Sequence, residues 1–335
     1  MAAKVHTPRT QRTTHPLRKP QPLRQGDRIG IIAPSGSTTQ QNALPDAIDA
    51  IESLGFRVTV GATAAGAMTE RYGYLAAGDA ERADDVHRFF ADPQIDAVLC
   101  LKGGYGTPRI LDLIDYDLIA RHPKLFIGYS DITGLHLAFA RYAGFPTIHG
   151  PMASGFGELD APSRDRWLRV VTNGGAGPVR FADSPGNQGV GCVTPGVATG
   201  RLTGGNLALV SALVGTDYAL DPNDAIVFLE DVDEAPYRVD RMLNQLRLAG
   251  YFDACSGVVL GTWERCVASE ADRTLTLAEV FADQLGPSGK PVLSGVVAGH
   301  GVPTLTLPMG VPARIDASCG RFEILEPATE DGRGR

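Results

Sequence analysis

Leu125-Phe126-Ile127-Gly128-Tyr129-Ser130-Asp131-Ile132-Thr133 is an apolar run that turns at once into a helical pattern carrying Leu135, Leu137, Ala138 and Phe139. A short buried strand feeding directly into a helix is the repeating unit of a parallel sheet. The same alternation extends outward from it. Toward the N-terminus the pattern predicts strands over 28–33, 57–61 and 95–101, with helices over 40–54, over 79–91 and from about 107. Toward the C-terminus it predicts a helix over 131–142 and a fifth strand over 146–149. Five short strands with helices between them make a doubly wound parallel-sheet domain, placed over 26–152.

Residues 153–200 turn rich in Gly, Pro, Ser and Asn, notably at Asn173-Gly174-Gly175 and Ser184-Pro185-Gly186-Asn187, and read as a linker region with a short helical stretch around Trp167. A second pattern follows, with helices over 206–214, 239–248 and 275–285 and strands over 225–230, 257–261, 291–297 and 322–325. It predicts a smaller C-terminal α/β domain over 201–328. The expected fold class is thus α/β, two domains with a cleft between them, in keeping with a chain of 335 residues.

Composition narrows the function classes. The chain carries a net charge of −7, but residues 1–25 hold six Lys or Arg and no acid, so the remainder stands at −13. An acidic folded part is a poor nucleic-acid ligand. The basic segment 1–25 is expected to be a disordered tail; it has no apolar core of a secretory signal, and no run reaches the roughly 18 apolar residues of a membrane span. The expected location is the cytoplasm, with neither membrane nor nucleic-acid partner. Five scattered cysteines, Cys100, Cys192, Cys255, Cys266 and Cys319, form no Cys-x-x-Cys pair, which argues against a disulfide framework and a zinc site.

In open α/β sheets ligands bind beyond the carboxyl ends of the strands, and four strand ends carry chemistry. Ser130 stands at a strand-to-helix corner, where a hydroxyl is thrust out of the sheet and the Asp131 amide opens a helix. The Ser130 and Asp131 side chains could equally serve as helix caps. Lys102-Gly103-Gly104-Tyr105-Gly106 lets backbone amides converge on one point, although it is neither a Walker A loop nor a dinucleotide fingerprint. Ile226 to Leu229 run into four acids, Glu230, Asp231, Asp233 and Glu234, whose mutual repulsion needs compensation. His300 lies between Gly299 and Gly301 after another predicted strand; His149, also at a strand end, is its rival as a general base. Ser130, Glu230 and His300 together offer a nucleophile, an orienting carboxylate and a base.

These residues resemble those of the LD-carboxypeptidases, the S66 family of serine peptidases that includes muramoyltetrapeptide carboxypeptidase. The likeness rests on residues 26–35, Gly103-Gly104-Tyr105-Gly106, Gly128 to Thr133, His149-Gly150-Pro151-Met152, Gly204-Gly205-Asn206-Leu207, Glu230-Asp231, Pro236 to Leu243, Gly299-His300 and Leu307-Pro308-Met309-Gly310. The resemblance implies a murein-recycling hydrolase that releases the terminal D-alanine of tetrapeptides, working as a homodimer without metal or cofactor. It implies Ser130, Glu230 and His300 as the catalytic residues, and the amides of Asp131 and the Gly103-Gly104 turn as oxyanion donors. Lys102, where relatives often carry arginine, joins Tyr105, Arg238 and Arg241 as a candidate for binding substrate. Two alternatives stand beside this: a microcin-immunity-type hydrolase acting on peptide-nucleotide or aminoacyl-adenylate analogues with the same triad, and a non-catalytic two-domain binding protein.

Overall fold

The computed structural model describes residues 17–66, 73–179, 191–268 and 273–330. Its first unit runs β1 (Arg28–Ile32), α1 (Ala43–Ser53), β2 (Arg57–Val60), the single turn α2 (Ala62–Ala65), α3 (Asp79–Ala91), β3 (Ala97–Cys100), α4 (Tyr116–Arg121), β4 (Leu125–Gly128), α5 (Thr133–Tyr142) and β5 (Thr147–His149). After α6 (Ala161–Asn173) come β6 (Gly177–Pro178), β7 (Gly191–Thr194), β8 (Val197–Asn206), α7 (Leu207–Ala212), β9 (Ala225–Val232) and α8 (Pro236–Leu248). The chain ends with α9 (Tyr251–Ala254), β10 (Gly257–Glu264), α10 (Leu277–Leu285), β11 (Val292–Ser294), β12 (Leu307–Met309), β13 (Pro312–Asp316) and β14 (Arg321–Ile324).

The fold is α/β, as expected. The first sheet has the order β12-β5-β4-β3-β1-β2, parallel throughout except for β12. Its strands β3 and β4 are buried at every position, the mark of a sheet covered on both faces. The order reverses between β1 and β3, so the segments leaving those two strands diverge to opposite faces and open a crevice between them. The helices around it start where the chain supplies acceptors: the Glu81 carboxylate takes the Gly78 amide before α3 at 2.9 Å, and Asp160 takes the Ser163 amide of α6 at 3.1 Å.

The second sheet has eight strands in the order β6-β14-β13-β8-β9-β10-β11-β7, more than the six of the first. Its centre, β8 to β11, is parallel, and its flanks are antiparallel. The two units are not independent bodies. Strand β12, from the C-terminal part, pairs with β5 of the first sheet, and each apolar core contains residues of both halves: Ile29, Leu99 and Ile127 with Leu202, Phe228 and Ile315, and Phe126 and Phe139 with Leu207, Val210 and Leu243.

Three expectations need correction. The stretch 153–200 is more than a linker: Trp167 on α6 is fully buried between Phe56 and Phe156, with ring centroids at 6.4 and 4.8 Å, and β8 is a central strand. The glycines that disguise β8 as a loop are there for close approach. A Cβ on Gly205 would lie 2.5 Å from Thr133 Oγ1, the first residue of α5, and φ at this position is +140°. The tail is not disordered from 17 onward, since Leu23 is buried and its amide donates to Val171 O at 2.8 Å, while Pro20 O accepts from the Glu330 amide. Residues 1–16 and 180–190, which include Ser184-Pro185-Gly186-Asn187, lie outside the described residues. The helix expected from about 107 is instead two short 3-10 turns, and α4 begins only where Asp115 accepts the Leu118 amide at 3.0 Å. Among the described residues, no helix is long and apolar enough to cross a membrane.

Candidate active site

Ser130 follows β4 without an intervening loop and has φ of +62°, a left-handed conformation rare outside glycine. The corner is tight because Gly128 has no side chain: a Cβ there would meet the Ile132 side chain at 2.9 Å. Ile132 therefore fills the place that the last glycine of Gly-x-Ser-x-Gly would leave open. The turn after β3 presses against this corner. A Cβ on Gly103 would lie 2.8 Å from Ser130 Cβ, 3.0 Å from its Oγ and 3.3 Å from the Asp131 amide nitrogen.

What holds the turn and corner together is a buried polar cluster that the sequence analysis did not find. The Asp131 carboxylate accepts from Ser35 Oγ at 2.6 Å and from the Thr107 amide at 2.7 Å, and Ser35 Oγ also reaches Gly103 O at 3.1 Å. Burial pushes the Asp131 pKa up, and these hydrogen bonds oppose it. Arg82, fully buried, donates to Pro34 O at 2.6 Å and to Gly106 O at 2.9 Å. Asp131 thus has its side chain committed to the scaffold and only its amide beside the serine. The signal that could have found Ser35 was its place just past β1, at the reversal of strand order.

From the second sheet, Glu230 sits within β9, fully buried, opposite Asn206 of β8. His300 lies in the segment after β11. Its Nδ1 is 2.7 Å from Glu230 Oε2, and its backbone amide is 3.3 Å from the same oxygen. Because the carboxylate can only accept, Nδ1 carries the proton of this hydrogen bond. Burial would raise the pKa of Glu230, but the imidazoles of His149 and His300 outweigh it and hold the group at about 2, ionised at neutral pH. Gly299 makes the approach possible: a Cβ there would lie 2.5 Å from Glu230 Oε2, and its φ is +122°. The Tyr129 ring meets His300 edge-on with centroids 4.8 Å apart.

The other acids at the end of β9 and just past it are compensated one by one. Asp231 accepts from Asn206 Nδ2 at 2.7 Å and the Ala208 amide at 3.0 Å, although burial lifts its pKa to about 6. Asp233 forms a two-pronged pair with Arg265 at 2.7 and 2.8 Å, and Glu234 faces Arg238 at 3.6 Å.

Ser130 and His300 line one cleft of about 400 Å³, with Lys102, Gly103, Gly104, Tyr129, Met152 and Glu158 among its walls. The cleft thus brings together the serine, the carboxylate-bonded imidazole, the double-glycine turn and Lys102. It does not include Tyr105 or Arg238. The Tyr105 ring is half exposed against Tyr74, 5.9 Å away, and Arg238 is turned outward on α8 toward Glu234 and the Tyr237 hydroxyl. His136 is a packing residue: its Nε2 donates to Gly128 O at 2.9 Å, and burial drives its pKa down to about 3. His149 faces the second oxygen of Glu230, with Nε2 3.8 Å from Oε1, too far for a hydrogen bond. Among the described residues there is no cluster of three or more side chains able to hold a metal ion.

Residues 29–150 match the LD-carboxypeptidase N-terminal domain and residues 199–315 the LD-carboxypeptidase C-terminal domain. The chain is 35% identical over 317 residues to a probable murein peptide carboxypeptidase of Bacillus subtilis, covering 94% of this chain and 96% of that one. It is 32% identical to the murein tetrapeptide carboxypeptidase of Pseudomonas aeruginosa, over 87% of this chain and 94% of that one. Among solved structures it is similar to the microcin-immunity protein MccF in complex with glutamyl sulfamoyl guanosine, with a TM-score of 0.84 and 25% identity over 93% of this chain and 99% of that one.

Proposed function

This chain belongs to the LD-carboxypeptidase family of peptidases, and from that premise we propose that it is a serine L,D-carboxypeptidase releasing the terminal D-alanine of murein tetrapeptides. The observation that carries the proposal is the Glu230–His300 hydrogen bond of 2.7 Å in the cleft that also contains a serine in a left-handed corner. In this mechanism His300 Nε2 takes the Ser130 proton as Oγ attacks the scissile carbonyl. The Glu230 carboxylate offsets the charge that then forms on the imidazole. The Asp131 amide and the Gly103-Gly104 turn receive the oxyanion. His300 passes its proton to the leaving amine of D-alanine, and the acyl-enzyme on Ser130 is hydrolysed by water activated at the same imidazole. Lys102, a cation on the cleft wall, is assigned to the terminal carboxylate of the substrate.

A second reading, hydrolysis of aminoacyl-adenylate or peptide-nucleotide analogues, is favoured by the similarity to the microcin-immunity protein bound to a nucleoside conjugate. Against it stands the lining of the cleft, where Tyr129 is the one aromatic side chain besides the His300 imidazole among the described residues. Trp167 is buried in the core and Trp263 packs on Phe281, so neither offers a base-stacking platform.

The test is to incubate the protein with murein tetrapeptide, and separately with an aminoacyl sulfamoyl adenosine, each in the presence of EDTA. Release of D-alanine at the higher kcat/KM supports the proposal; faster cleavage of the nucleoside conjugate replaces it with the second reading. Binding without turnover, unchanged in Ser130→Ala, would leave only a binding protein, and loss of turnover with chelator would move the chemistry to a metal. The same proposal has the enzyme working in the cytoplasm as a homodimer, which fractionation and light scattering test.

A further inference from the structure

His149 closes β5 with its ring 1% exposed, and neither ring nitrogen has a hydrogen-bond partner. Across from it, Glu230 Oε1 is also buried and without a hydrogen bond, because both His300 contacts go to Oε2. The two unused groups face each other at 3.8 Å, about 1 Å beyond a hydrogen bond. A buried donor and a buried acceptor each lose what water would have given them, so closing this gap is favourable and leaving it open is costly.

We propose that His149 is a positioning residue of the catalytic machinery: its Nε2–H donates to Glu230 Oε1, so that the carboxylate is bridged between two imidazoles, one from β5 and one from the segment after β11. The proposal rests on the serine-hydrolase reading above. His149 does not meet substrate, since it is absent from the cleft lining and the Tyr129 ring packs against both imidazoles, 5.7 Å from His149 and 4.8 Å from His300 by centroid. Its action runs through Glu230. With only Oε2 engaged, the carboxylate can pivot about its side chain; a second donor from the end of β5 fixes the plane in which it accepts the hydrogen bond from His300 Nδ1–H. The rest of the surroundings are suited to that task. Phe228 packs edge-on against His149 at 5.0 Å, and among the described residues the titratable groups around the pair are Tyr129, His136, Cys266, His300 and Asp231, of which only Asp231 adds negative charge.

The tautomer of His149 in the intact wild-type protein, read from the 15N shifts of its ring, tests this without substrate. Expected is a proton on Nε2 with Nδ1 bare; a proton on Nδ1 overturns the proposal. Two variants test the consequence. His149→Gln keeps an N–H near the same place, whereas His149→Leu fills the space without a donor. Turnover of the tetrapeptide should hold within about threefold in His149→Gln and fall about 30-fold in kcat, with KM unchanged, in His149→Leu. The downfield proton resonance of His300 Nδ1 should weaken in the leucine variant alone. Equal kcat in both variants, whether kept or lost, overturns the proposal; if the leucine protein does not fold, the tautomer decides. Absence of tetrapeptide turnover in the wild type would refute the substrate assignment and leave the NMR result to stand or fall on its own.

Discussion

Gly103→Ala separates geometry from folding at this site. The added methyl would lie 2.8 Å from Ser130 Cβ, 3.0 Å from Oγ and 3.3 Å from the Asp131 amide nitrogen. Carbon atoms in ordinary contact stand about 3.5–4.0 Å apart, so the overlap with Ser130 is about 1 Å. Neither side can yield easily. Ser130 Cβ is attached to a backbone held by the β4–α5 corner, and the Gly103 carbonyl is held by Ser35 Oγ and by the Gly36 amide at 3.0 Å. A displacement of that size costs about 100-fold in rate, and a methyl crowding one oxyanion donor costs about 10²–10³-fold, so kcat should fall by at least about 100-fold. Position 103 does not have positive φ, so the alanine backbone is unstrained and the stability cost is that of overpacking, about 1–3 kcal/mol. That corresponds to a fall in Tm of about 1–4 °C. Gly155→Ala supplies the control in the same cleft, because a Cβ there meets nothing within 4 Å. The assay is steady-state D-alanine release from tetrapeptide, with thermal melting of each variant. A folded Gly103→Ala protein that keeps kcat within about threefold of wild type, or a Gly155→Ala protein that loses as much, would refute the reasoning.

Ser130→Ala and Ser130→Gly should both abolish turnover, but the glycine variant should be the more stable by about 0.5–1 kcal/mol in chemical denaturation, because the left-handed φ of +62° costs alanine more than glycine gains in unfolded freedom. Glu230 sits at about 2 in the folded protein against 4.5 for an ordinary glutamate, so its ionised form contributes stability fully present above about pH 4.5 and lost as pH falls toward 2. The difference in Tm between wild type and Glu230→Gln should therefore shrink on acidification below about pH 4.5; a constant difference would contradict the assignment. At neutral pH the same variant should lose about 10³-fold or more in kcat, since the orienting charge is gone. Gly205→Ala, with φ of +140° and Thr133 Oγ1 2.5 Å from the new Cβ, should destabilise by about 2–4 kcal/mol, measurable as a lower midpoint in urea.

The legible part of this protein was the part encoded by near neighbours. The helix over 79–91 was read to the residue, and β4 with its serine corner almost so, because a buried strand is a continuous apolar run and a helix has its own period. Strand β8 was missed because its glycines are required by Phe228 and Thr133, residues far along the chain, and a glycine-rich decapeptide looks like a loop without them. The packed segment at 17–25 was missed for a similar reason: its partners, Val171 and Glu330, are not local. Ser35 lay in a stretch of family likeness but carried no sign of a role in the site, and Arg82 carried no motif. Their part in fixing the double-glycine turn comes from where β1 ends and α3 begins in space.

From the sequence alone came Ser130, Gly103 and His149 at the ends of strands and His300 in the segment after one, whereas Glu230, expected at a strand end, lies inside β9, which runs on to Val232. Tertiary structure alone decided which of them meet. Glu230 and His300 are 70 residues apart, and it is the packing of β9 against the segment after β11 and against β5 of the first sheet, together with the missing side chain at Gly299, that places one imidazole on Oε2 at 2.7 Å and leaves the other facing Oε1 at 3.8 Å. Hydrogen bonding is set by fractions of an ångström between remote backbones, and no local periodicity carries that distance.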